Sequence, residues 1–139
     1  MDILTREQRS NVMSRIRGKN TVPEMVVRRA AHSLGLRFRL HRKDLPGSPD
    51  LVFPGRRKAL FVHGCFWHRH KGCRLAYTPK SNASFWEAKF GSNIVRDARV
   101  MDELRAAGWD PLIIWECETR RPGEVVSRLN DLLIMEAAQ

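Results

Sequence analysis

The chain has 139 residues, 42% of them hydrophobic and 29% charged, which suits one folded domain with a real core. No apolar run approaches the roughly 18 residues a membrane span needs. The opening MDILTREQRS lacks an apolar signal region, so the expected location is the cytosol. The net charge of +10 is uneven: +7 over residues 1–45, +7 over 46–99 and −4 over 100–139. A basic body with an acidic end points to a polyanion such as nucleic acid, against the alternative of a solvated basic surface.

In chain order, Thr5 caps an expected basic helix to about Arg17, with Val12, Met13 and Ile16 on one face and Gly18 as its stop. Thr21-Val22-Pro23-Glu24 reads as a capping box opening a second helix to about Leu34, which Gly35 ends. Leu36 to Leu40 alternates apolar and basic residues, as a half-buried strand does, and Asp50 to Phe53 follows a Pro/Gly-rich turn as another. Pro54-Gly55-Arg56-Arg57 closes a hairpin to Lys58–Val62, whose continuous apolar run places it centrally in a sheet. Residues 63–83 read as irregular. A helical pair is expected near 84–90 and 92–107, then a buried strand at Leu112–Trp115 and an amphipathic helix from about Gly123. The order predicts an α/β domain with a mixed sheet flanked by helices.

The three cysteines form an odd count, a poor disulfide framework. Cys65, His70 and Cys73 lie within nine residues, and Cys117 follows the last expected strand. Together they make a Cys3His set suited to a closed, tetrahedral structural zinc, which would order a loop that lacks a core. The alternative is three unlinked buried thiols.

Phosphodiester cleavage needs a proton acceptor for water and offset of charge at the phosphate and leaving oxygen. Asp50 opens one strand and His63 ends its hairpin partner, so hairpin register decides whether they meet. His63 and His68 remain after the zinc set is filled and are candidates for proton transfer. Glu24, on the early helix, is a further candidate beside Asp50 and His63, with its capping role as a full alternative. Phe66 and Trp67 in the stiffened loop, with Trp86, are either core or wedges for base steps. Lys89, Asn93 and Arg96 would share a helix face, either solvated or turned to phosphates and base edges.

The segments Pro46-Gly47-Ser48-Pro49-Asp50, Val62-His63-Gly64-Cys65-Phe66-Trp67-His68-Arg69-His70, Phe85-Trp86 with Lys89 and Asn93, and Ile114-Trp115-Glu116-Cys117 resemble the very-short-patch repair endonucleases. The resemblance covers about residues 5–120 in the same order. It implies a single domain over 1–139 with a fold similar to type II restriction endonucleases. It also implies magnesium-dependent nicking 5′ to the thymine of a T:G mismatch left by deaminated 5-methylcytosine. By that analogy Asp50 and the Val62 carbonyl hold magnesium, His68 is the general base, and His63 and Glu24 support water and metal. Phe66, Trp67 and Trp86 would wedge from the major groove. Residues 1–20 would form a DNA-contacting arm that brings Met13 and Ile16 to the minor groove. Cys65, His70, Cys73 and Cys117 would bind zinc. The implied partners are mismatched double-stranded DNA and mismatch-repair proteins, in the bacterial nucleoid. A monomer is expected, because one nick needs one site.

Two positions depart from that pattern: Val62 stands where a threonine is expected, and Gly72 adds a residue between His70 and Cys73. Phe61-Val62-His63 also replaces the carboxylate-x-lysine pair of ordinary restriction-type nucleases, so histidine chemistry is required. Two rival readings are a non-catalytic zinc DNA-binding module and a zinc hydrolase centred on the knot. The second conflicts with a Cys3His set that fills all four positions.

Overall fold

The computed structural model describes residues 20–135. The first expected helix, with Met13 and Ile16, lies outside them. The described elements are α1 (Val22–Ser33), β1 (Arg39–Leu40), β2 (Leu51–Phe53), β3 (Lys58–His63), α2 (Ala83–Ala106), β4 (Asp110–Trp115) and α3 (Pro122–Leu129), followed by a wider helical turn at Asn130–Met135.

The sheet order is β1-β2-β3-β4. The first two pairings are antiparallel and β3–β4 is parallel, which demands a long crossover. Residues 64–109, with α2 in them, provide it. Alternation along the strands sends side chains to two cores. Leu51, Phe53, Leu60, Leu112 and Ile114 meet Val27, Ala30 and Ala31 of α1 and Val125 and Leu129 of α3. Val52, Ala59 and Phe61 meet Val100 and Leu104 of α2, with Trp109. The domain is thus three layers: α1 and α3, the sheet, and α2. β3 is central, as its apolar run predicts.

Three expectations change. The helical pair is one helix of 24 residues, running through Gly91-Ser92. Glycine costs a helix about 1 kcal/mol, and the buried line Phe90, Asn93, Val100 and Leu104 holds it together. The first strand shortens to two residues, because Leu36 is buried in the α1 core and Phe38 packs edge-on against His32 and Phe53. The last strand starts two residues early, at Asp110, and includes Pro111; β4 is a sheet edge, where proline is tolerated.

The turn before β2 is tightly specified. Gly47 has φ +74°, and a Cβ there would lie 2.5 Å from Val100 Cγ1 and 3.2 Å from the Phe61 ring. Only glycine lets this turn pass under α2 and deliver Asp50 to the strand end.

Candidate active site and metal centre

The start of α1, the turn that leads into β2, the end of β3, the loop after β3 and one face of α2 border a groove of about 1300 Å³. Glu24, Asp50, Val62, His63, Phe66, Trp67, His68, Trp86, Lys89, Asn93 and Arg96 all line it. The predicted catalytic residues sort into two clusters within this groove.

The first cluster gathers Glu24, His41 and Asp50, with one donor atom from each within 4.8 Å of the others. Hairpin register carries Asp50 one step beyond the Leu51–Leu60 pair, where Asp50 Oδ2 accepts the Val62 N–H at 2.7 Å. Thr21 caps α1 by accepting the Glu24 N–H, as expected. The Glu24 carboxylate instead turns into the groove, where Arg28 and His41 Nε2 (3.0 Å) meet it. Its capping-box position therefore leaves the side chain available to the site. Burial, with help from nearby Glu24, pushes the Asp50 carboxyl up to about 6 against the Val62 hydrogen bond. Two desolvated carboxylates at this distance suit a bound cation.

The second cluster is His63, His68 and Asp97. The imidazoles of His63 and His68 stack with centroids 3.8 Å apart and planes 8° from parallel. His68 Nδ1 lies 2.6 Å from Asp97 Oδ2. The carboxylate accepts the Nδ1–H, so in the neutral ring Nε2 is the nitrogen that can take a proton. Burial, then the charge of His68, pulls His63 down to about 3, so it stays neutral near pH 7. Its Nδ1 is buried with no hydrogen-bond partner among the described residues. Burial acts to raise Asp97, but the hydrogen bond and charge of His68 outweigh it and hold the carboxyl below its usual range.

Behind this cluster, Cys65, His70, Cys73 and Cys117 bring four donor atoms within 4.8 Å of one another. His70 Nδ1 is 3.6 Å from Cys65 Sγ and 3.4 Å from Cys117 Sγ. Tetrahedral ligands at zinc–sulfur distances of about 2.3 Å would sit about 3.8 Å apart, so the set fits that ion. Gly72, expected as an added residue, takes φ +74° in the turn where the Cys73 N–H reaches the His70 carbonyl at 3.2 Å. Burial pushes the Cys65 thiol up to about 12, which a cation among these sulfurs would reverse. The His70 ring stacks on Trp115 at 4.2 Å, joining the knot to β4.

Phe66 and Trp67 do not enter either core. They form an aromatic cluster with Trp86: Phe66–Trp67 5.0 Å, Phe66–Trp86 5.5 Å and Trp67–Trp86 5.8 Å between centroids. All three are half-buried on the groove wall. Arg69, at φ +54°, ties this loop by donating to the carbonyls of Phe66, Ala76 and Tyr77 and to Thr78 Oγ1. Asn93 is buried; its amide nitrogen donates to the Trp67 carbonyl at 3.0 Å and its oxygen accepts from Arg96. Asn93 therefore braces the aromatic loop, while Lys89 and Arg96 extend the same face of α2 along the groove.

Sequence reading missed His41, Arg28 and Asp97. Asp97 sits four residues after Asn93 on the predicted helix face, so its position carried a signal. Arg28 likewise sits four residues after Glu24. His41 carried none, because its place depends on the β1–β2 register.

A sequence profile described as DNA mismatch endonuclease Vsr matches residues 1–74. The chain belongs to the Vsr family of DNA endonucleases. It is 51% identical to the type II nicking enzyme V.XorIIP of Xanthomonas oryzae over 132 residues, 95% of this chain and 96% of that one. The type II nicking enzyme V.NmeAIP of Neisseria meningitidis is 39% identical over 95% of this chain and 94% of its own. The DNA mismatch endonuclease Vsr of Escherichia coli is 39% identical over 86% of this chain and 76% of its own. The mixed α/β architecture, the groove and both clusters are thus those of a Vsr-family member. No described helix is long and apolar enough to cross a membrane.

Proposed function

We propose that this protein nicks one strand of duplex DNA 5′ to the thymine of a T:G mismatch, the lesion left by deaminated 5-methylcytosine. The observation that carries the reading is the pairing of a carboxylate cluster with a carboxylate-oriented histidine along one groove of a strongly basic chain. A non-catalytic zinc module would leave both arrangements idle. The fold is proposed to be of the restriction-endonuclease kind, with one structural zinc at Cys65, His70, Cys73 and Cys117.

Asp50, Glu24 and the Val62 carbonyl would hold magnesium. That ion supplies charge neutralisation at the attacked phosphate and the leaving oxygen. The chain's own residues do the rest. His68 Nε2 takes the proton from the attacking water as its oxygen bonds to phosphorus. Asp97 holds the ring's tautomer and offsets the charge the ring gains. The phosphorus–oxygen bond to the sugar then breaks, and that oxygen recovers a proton from solvent. His63, neutral and stacked on His68, keeps the base oriented. Phe66, Trp67 and Trp86 would insert at the mismatched step, where unstacking costs least. Lys89 and Arg96 would offset backbone phosphates, and Asn93 would hold the wedge loop. Met13 and Ile16 would contact the minor groove. The enzyme would act as a monomer on the nucleoid, alongside mismatch-repair proteins.

The direct check is Asp50→Ala and His68→Ala in parallel. Both should abolish nicking of a T:G duplex and retain its binding in a gel-shift assay. Loss of binding in both, with unfolding unchanged, would instead favour the binding module.

A further inference from the structure

His41 stands in an unusual conformation for its place in the site. It follows β1 at φ +47°, a left-handed backbone that few residues other than glycine adopt. Its N–H donates to the Asp50 carbonyl at 3.1 Å, so the register that pairs Leu40 with Leu51 sets His41 directly across from Asp50. Its Nε2 lies 3.0 Å from each oxygen of Glu24, and its side chain is 15% exposed. The Glu24 carboxylate already has a cationic partner in Arg28. His41 is therefore not needed to neutralise Glu24, and its donor atom sits within 4.8 Å of both carboxylates.

We infer that His41 is a further metal ligand, adding one imidazole nitrogen to the carboxylates of Glu24 and Asp50, and that it raises the site's affinity for manganese relative to magnesium. The inference rests on the proposed metal-dependent reading of the site and names its donor set. With the ion bound, the neutral ring would carry its one proton on Nδ1 and present the Nε2 lone pair to the metal in place of the Glu24 contact. Magnesium favours oxygen donors and octahedral geometry, whereas imidazole suits the later divalent ions better.

The test uses the full chain with its zinc retained, since the thiolate set does not favour manganese. Manganese binding is followed by electron paramagnetic resonance, and nitrogen coupling by electron spin-echo modulation. His41→Asn is the variant, because asparagine tolerates the left-handed region and lacks the ring nitrogen. The wild type should show nitrogen modulation that His41→Asn loses and His68→Gln keeps. Manganese affinity should fall about tenfold or more in His41→Asn, with magnesium affinity changing less. Manganese that binds in an Asp50-dependent way without nitrogen modulation, or modulation that survives His41→Asn, overturns the role of His41 and leaves the carboxylate site standing. Absence of any binding that Asp50→Asn weakens overturns both. Absence of nitrogen modulation in the wild type overturns the role of His41 even if a variant folds poorly.

Discussion

His68 and Asp97 are joined by a 2.6 Å hydrogen bond between Nδ1 and Oδ2, across 29 residues of chain. In the neutral ring the bond leaves Nε2 as the proton-accepting nitrogen of a groove-lining residue, which is what a water-activating histidine requires. Asp97→Asn keeps the shape but permits the wrong tautomer. Single-turnover nicking is expected to fall about 10²–10⁴-fold, with DNA binding within a few-fold of wild type. Unchanged nicking would remove Asp97 from the mechanism.

The same substitution has a signed effect on stability. A carboxylate held below its ordinary value stabilises the fold above about pH 3.8, and that contribution disappears as pH falls through the lowered native value. Asp97→Asn should therefore lower Tm at pH 7 and converge with wild type in strong acid. A constant offset at all pH values would contradict the linkage.

Asp50 behaves in the opposite sense. Burial raises it to about 6, so from pH 3.8 to 6 the native state binds more protons than the unfolded chain. Its charge costs stability that is fully lost above about pH 6 in metal-free protein. Asp50→Asn should raise the metal-free Tm at pH 7, by roughly 1–3 kcal/mol of stability, while abolishing nicking. A lower Tm would show that the carboxylate serves structure rather than the site.

Much of this arrangement is legible in the residues, and the missing parts have a common cause. Strand periodicity and the hairpin turn place Asp50, Val62 and His63 at one end of the sheet. Cysteine and histidine spacing gives the knot. Side chains whose meeting depends on pairing between distant elements escape: His41 needs the β1–β2 register, and Asp97 needs α2 to lie across the loop after β3. The break expected at Gly91-Ser92 fails because tertiary packing along Phe90, Asn93, Val100 and Leu104 outweighs local propensity. Glu24 shows that one residue can occupy a capping position with its backbone while its side chain serves elsewhere.

The four-donor knot leads to a metal-content prediction. Purified protein should carry one zinc per chain by elemental analysis. Chelation or Cys73→Ser should lower Tm by about 10 °C or more, because the loop from 64 to 82 has little core of its own. Tryptophan fluorescence should change as well, since His70 stacks on Trp115. Metal-free protein with an unchanged melting curve would exclude a structural ion.

The aromatic wall gives a specificity prediction. Trp86 stacks on Phe90 and touches Phe66 and Trp67, yet it remains half-open to the groove. Trp86→Ala should weaken binding to a mismatched duplex by about 5–150-fold, the worth of roughly 1–3 kcal/mol of base stacking. Binding to a fully paired duplex should change much less. Equal losses on both duplexes would mean that the wall serves packing alone.

The central claim is tested most directly by mapping nicks on duplexes with randomised flanks around either a T:G or a T:A pair, with magnesium, manganese or EDTA. The account predicts a single-strand break 5′ to the mismatched thymine, present with either metal, absent with EDTA and absent from the T:A library. Cleavage of both strands, equal cutting of T:A duplexes, or activity that survives EDTA would contradict it.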